Sequence, residues 1–138
     1  MAKMNEKVRA LFESQPIAVL ATSSADGTPN AVPIGAKKVL DNETILISDQ
    51  HFGKTLANLK ANPQASLAFW NPETGEAYQI KGTVTIETSG KIFEETAAWI
   101  EEIARIRKIP MKSKGAVVLK IDAVFTSSPG PDAGSRID

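Results

Sequence analysis

The chain contains no cysteine, and that single absence removes disulfides, thiolate nucleophiles, iron–sulfur ligation and cysteine zinc sites together. Histidine occurs once, as His51, so a histidine metal cluster is ruled out and a Ser/His/Asp triad would rest on that residue alone. An excess of charge is missing too, because 16 Lys and Arg cancel 16 Asp and Glu. A formally neutral chain exerts no long-range pull on nucleic acid or anionic lipid, although a local basic cluster can still hold one phosphate. No apolar run reaches the length of a membrane span. Met1 to Ser14 carries Lys3, Glu6, Lys7, Arg9 and Glu13 where a signal peptide needs an unbroken apolar stretch. Neither nucleic acid nor a membrane is an expected partner, no metal site is expected, and the expected location is cytoplasmic. A GxGxxG dinucleotide fingerprint is also lacking.

What is present suits one domain over residues 1–138. A composition of 42% hydrophobic and 23% charged residues is ordinary for a globular chain, and at this length about two thirds of the unfolded surface can be buried. Met4, Val8, Leu11 and Phe12 recur at helical spacing until Pro16 stops the pattern, which predicts a short amphipathic helix against the core. Strands are predicted from Ile17 to Ser23, Asn30 to Val39, Thr44 to Ser48, Ala65 to Trp70, Glu76 to Thr88 and Gly115 to Phe125, with turn chemistry between them. A helix starts near Lys54 and closes at Asn62-Pro63; a longer one spans Lys91 to Lys108, with Ile92, Phe93, Ala97, Ile100, Ile103 and Ala104 near a 3.6-residue period. Residues 126–138, rich in Ser, Pro and Gly, read as a tail that is poorly ordered unless docked. Six strands joined by short turns, with two or three peripheral helices, argue for a mainly β protein built on a closed or nearly closed antiparallel barrel.

The strongest local signal for chemistry is Ser48-Asp49-Gln50-His51-Phe52-Gly53-Lys54-Thr55, where an apolar strand hands over to a helix. Backbone N–H groups of a first helical turn point outward unsatisfied, and a phosphate placed there meets both them and the positive end of the helix dipole. Lys54 adds a charge and Thr55 a hydroxyl. Gly53-Lys54-Thr55 also matches the end of a Walker A loop, but Ser48 stands where that loop needs its first glycine. An ordinary solvated first turn is the competing reading. The segment Ala31-Val32-Pro33-Ile34-Gly35-Ala36 is the second signal, because Pro33 and Gly35 weaken a central ladder. It suits a place where a planar polar ring uses the backbone groups, or else a barrel corner. Arg105, Arg107, Lys108, Lys112 and Lys114 form a basic run that reads as a solvated face or as a patch for an anionic substrate or a partner's carboxylates. His51 reads as a loop residue. No side chain stands out as a catalytic acid or base.

Taken in order, Asn30 to Gly35, Lys38 to Asp41, Ile45 to Ser48 and Lys54 to Pro63 resemble the FMN-binding split-barrel family, which includes pyridoxamine 5′-phosphate oxidases and small FMN-binding proteins. The likeness runs from about Val8 to Phe125. It implies a six-stranded antiparallel barrel of Greek-key type, FMN as cofactor, and an oxidoreductase or electron-transfer protein with a small-molecule substrate or redox partner. A non-catalytic flavin carrier or sensor, or a barrel that binds deazaflavin or haem, is the alternative. By the same resemblance, the backbone of Val32, Pro33, Ile34, Gly35 and Ala36 faces the flavin ring and Lys54 contacts the phosphate with Thr55 beside it. Ser48, Asp49 and Gln50 border the ring or ribityl chain, and Gln79 is a further candidate on the long strand. A homodimer with flavin sites at the interface is also implied, with Met111 and Lys112 reaching the partner's flavin. The substrate-binding arginine and histidine near the oxidases' C-terminus have no counterpart here, which argues against pyridoxamine 5′-phosphate oxidation itself.

Overall fold

In the computed structural model, which describes residues 2–138, helix formation begins at Asn5, whose side chain accepts the Val8 N–H at 2.9 Å and so caps α1 (Glu6–Ser14). The apolar stripe of α1 buries Val8, Leu11 and Phe12. The Phe12 ring meets Phe69 edge-on at 5.1 Å, which locks the helix over the hydrophobic core.

The strands are β1 (Ala18–Ser23), β2 (Pro29–Ile34), β3 (Lys37–Asp41), β4 (Thr44–Asp49), β5 (Gln64–Trp70), β6 (Ala77–Glu87) and β7 (Gly115–Thr126). They form one sheet in the order β2-β1-β5-β6-β7-β4-β3, with every neighbouring pair antiparallel. The sheet therefore has seven strands where the sequence predicts six. The difference lies in Asn30 to Val39, which divides into β2 and β3. A tight turn causes the break: Lys37 N–H donates to Gly35 O at 3.0 Å, and Ser48 N–H donates to Ala36 O at 3.0 Å. The two halves then pair with different partners, β2 with β1 and β3 with β4. They lie at opposite edges of the sheet but are joined by two residues, a span of about 10 Å at most. The sheet must curl until its edges approach, giving a half-barrel closed by the chain itself.

Alternate residues of the strands point into this curl. Leu20, Ile45, Ile47, Leu67, Phe69, Ile80, Val117, Leu119 and Ile121 make a contiguous buried core with α1. Lys37 Nζ donates to Phe12 O and stands 4.2 Å from the Phe12 ring centre, which ties the start of β3 to α1. The β6–β7 register slips between Lys81 and Gly82, leaving Asp122 as the extra residue of a bulge.

Two helices decorate the sheet. α2 (Lys54–Ala61) buries Thr55, Asn58 and Leu59. α3 (Lys91–Arg107) ends where Lys108 turns left-handed at φ 56° and returns its N–H to Ala104 O. The tail is docked. Ile137 N–H donates to Val124 O at 2.8 Å, Val124 N–H donates to Asp138 Oδ1 at 2.7 Å, and Arg136 pairs with Asp138. It lies along the stretch of β7 beyond its pairing with β4, so strand edge is covered there. Among the described residues no helix is long and apolar enough to cross a membrane, and no group of three or more His, Asp or Glu is placed to hold a metal.

Candidate cofactor site

A cavity of about 510 Å³ opens where the end of β2, the Gly35-Ala36 link, the end of β4 and the start of α2 converge. One wall is β2, an edge strand that pairs only with β1, so its other row of N–H and C=O groups faces no strand. The floor is the β4–α2 loop. Asp49 shapes it by accepting the Phe52 N–H at 3.0 Å, while Ser48 Oγ bonds to Ser113 Oγ at 2.8 Å. At the far end α2 begins at Gly53 with no side chain capping it, so its first-turn N–H groups are open to a ligand. Lys54 is exposed there, and Thr55 is 2% exposed with its hydroxyl oxygen accepting from Asn30 Nδ2 at 3.0 Å.

Ten of the thirteen sequence-predicted residues line this one cavity: Val32, Pro33, Ile34, Gly35, Ala36, Ser48, Gln50, Lys54, Thr55 and Met111. The other three do not. Asp49 is buried behind the loop it shapes. Gln79 lies on β6 between Ala68 and Phe125, away from the elements that form the cavity, and exposed Lys112 is not part of its wall. Met111 lines the cavity of its own chain, whereas the resemblance placed it near the partner's flavin. A side chain at Gly35 would approach Ile17 Cδ1 at 3.3 Å and Pro16 O at 3.5 Å. The missing Cβ at this position therefore relieves contact with Ile17 and Pro16.

Asn30, His51, Phe52, Ile103 and Arg107 are further lining residues that were not placed in the site from the sequence. For Ile103 and Arg107 a signal existed, since they stand one helical turn apart at the basic end of α3. For Asn30 there was none. The ionisable side chains lining the cavity are Lys54, Arg107 and His51, with no carboxylate among them. Gln50 Oε1 is buried without a hydrogen-bond partner, a polar atom that a ligand N–H would satisfy. The site thus has an apolar body, an unpaired strand edge and a basic end with free backbone donors. That combination fits a planar, polar-edged ring carrying a phosphate.

A curled antiparallel sheet with a cavity at its seam defines the fold class, a split barrel. Residues 4–127 match the family model described as pyridoxamine 5′-phosphate oxidase, and the chain belongs to this family. It is 37% identical, over 99% of its length and 89% of the relative's, to an uncharacterised protein of Methanocaldococcus jannaschii. Among solved structures, HupZ of Group A Streptococcus is similar at TM-score 0.80 and 26% identity, covering 95% of this chain and 99% of that one. An FMN-binding protein from Syntrophomonas wolfei is similar at TM-score 0.76 and 18% identity, covering 91% and 86%. The fold is also shared, at TM-score 0.67, by an F420 reductase at 20% identity, covering 88% and 98%, and by HutZ, the haem storage protein of Vibrio cholerae, at 18% identity, covering 91% and 95%.

Proposed function

We propose that the chain is an FMN-binding oxidoreductase or electron-transfer flavoprotein. The observation that carries this reading is the convergence of the uncapped start of α2, with Lys54 and Thr55, on the same cavity as the unpaired edge of β2 from Val32 to Ala36. Lys54 and the first-turn N–H groups hold the phosphate, the β2 backbone and Gln50 meet the polar edge of the ring, and Pro33, Phe52 and Met111 exclude water from its faces. Bound FMN supplies the electron chemistry, and the chain orients it and sets its surroundings. Arg136 serves no substrate in this reading. It is bound to Asp138 and to Asp122 O outside the cavity, so the arginine–histidine pair of the oxidases is not rebuilt and pyridoxamine 5′-phosphate oxidation is not proposed. We extend the reading to a homodimer in which a second copy covers the open side of the cavity, since ligand pockets bury most of their ligand.

The test is the visible spectrum of the purified protein, followed by FMN addition. A bound yellow flavin is expected, and FMN at a hundredfold excess over its dissociation constant should add about 2.7 kcal/mol of stability. A Soret band, or a deazaflavin spectrum with no FMN response, would replace FMN by those cofactors; no chromophore and no rise in melting temperature would remove the reading.

A further inference from the structure

The two edges of the curled sheet share no ladder, so β2 and β3 are held together beside the cavity by other means. The Gly35-Ala36 link is one tie, and α1 is a second. On one side of the seam the Phe12 ring packs against Phe69 of β5, and the chain leaving the helix, Pro16-Ile17, lies against Gly35. On the other side Met4 N–H donates to Asn42 O at 2.8 Å and Arg9 Nη1 donates to Asn42 Oδ1 at 2.9 Å, in the turn between β3 and β4. Lys37, the first residue of β3, reaches Phe12 O. The helix therefore spans from β5 to the opposite edge strand.

The Lys37 contact follows from the sequence at the end of α1. A helix carbonyl accepts from the N–H four residues on, and for Phe12 that residue is Pro16, which has no N–H. The Ser14 hydroxyl and the Gln15 N–H both turn back to Leu11 O instead. The Lys37 ammonium supplies the proton that Phe12 O lacks, at the negative end of the helix dipole and 4.2 Å from the Phe12 ring centre. Lys37 is half-buried, and this loss of water pulls its pKa below the ordinary lysine value, with Glu13 opposing. Residue 37 also ends the link: its N–H donates to Gly35 O, while Ser48 N–H donates to Ala36 O. Gly35 and Ala36 line the cavity and Lys37 does not. One residue thus carries both a bond of the link's turn and the tie to α1.

We propose that α1 is a strap across the seam, pinned by Lys37, and that release of this pin frees the Gly35-Ala36 wall and sets how fast the cavity exchanges its ligand. Lys37 acts through the link and is a positioning residue. The proposal rests on the FMN reading only for the ligand whose exchange is timed; the strap itself is tested without ligand.

Lys37→Met keeps an apolar stem and removes the donor to Phe12 O. In ligand-free protein, amide hydrogen exchange at residue 37 and at Ser48, the two N–H groups that hold the link, should quicken about tenfold or more. Amides of the β6–β7 ladder should keep their parent rates. In stopped-flow mixing, FMN association and dissociation should both accelerate by a common factor and leave the dissociation constant nearly unchanged. Gly82→Ala, which disturbs the β6–β7 pair instead, should leave the two link amides at parent rates. Parent-like exchange at the link in Lys37→Met overturns the proposal, as does uniform acceleration of all amides, which marks a plain loss of stability. Weaker FMN binding with unchanged association would make Lys37 a ligand contact and overturn it too. If Lys37→Met fails to fold, Lys37→Gln, whose shorter polar side chain suits a half-buried position, is read the same way, and parent-like link exchange in it overturns the proposal. Should the parent bind no FMN, the FMN reading falls and the amide comparison alone decides the strap.

Discussion

Lys54 stands exposed at the first position of α2, on the lining of the cavity and free of any carboxylate within it. A charge-assisted contact to phosphate is worth about 1.5 to 3 kcal/mol, so Lys54→Ala should weaken FMN by about ten- to a hundredfold and leave riboflavin nearly untouched. Paired titrations of the two flavins read this directly, and equal losses would place Lys54 away from the phosphate. A second residue reports on β6, outside the lining of the cavity. Tyr78 is the sole tyrosine; burial, together with the hydrogen bond it donates to Glu76, pushes its phenol up to about 12. A raised value in the folded state means that the stability gained is fully present below the ordinary value of 10.0 and is lost as pH climbs through about 12. Alkaline difference absorbance of this one tyrosine should titrate near the higher value in native protein and near the lower in denaturant. Tyr78→Phe should abolish that part of the alkaline loss of stability.

Among the elements, the long β6–β7 pair depends on one close approach. A Cβ at Gly82 would lie 2.4 Å from Leu119 Cδ2 and 2.5 Å from Lys120 O. The Leu119 tip can rotate away, but a backbone carbonyl in the sheet cannot. Gly82→Ala should therefore cost about 1 to 3 kcal/mol, the usual range for overpacking, seen as a lower denaturant midpoint. Gly53→Ala meets nothing within 4 Å and is the control that should leave the midpoint near the parent value. Element types were legible in the sequence because alternation and helical period are strong from Ala65 to Arg107 and from Gly115 to Thr126. The break between β2 and β3 was not, since it is made by two hydrogen bonds around Ala36, one of them from the distant Ser48. Pro33 and Gly35 marked the segment as irregular without saying that its halves would part. The tail was expected to be loose unless docked, and what docks it could not be named from the sequence, because the free edge of β7 exists only after the sheet has assembled.

For the whole molecule, the surface that bears on the proposed second copy is the end of α3. α3 buries only Thr96 and Ile100; in its last turn Ile106 is 65% exposed, and just past its end Ile109 is 46% exposed. This apolar end adjoins the cavity through Ile103, Arg107 and Met111. Light scattering at micromolar concentration is expected to give a dimer, and Ile106→Asp combined with Ile109→Asp should shift it toward monomer and loosen FMN together. A monomer that binds FMN fully would reject the shared site. Most of the cavity wall was readable beforehand, because Val32 to Ala36 and Ser48 to Thr55 are two continuous stretches whose irregularities are local. Arg107 was marked only as part of a basic run, and Asn30 was not readable, because its place beside Thr55 and on the cavity wall is created by the curl of the sheet. That curl has a consequence for traffic through the site. The gap between β2 and β3 is spanned by a two-residue link and by no ladder, and only two backbone hydrogen bonds hold that link in its turn. On the proposed FMN reading, this unladdered gap is where the ring would enter and leave, because no strand pairing has to break for it.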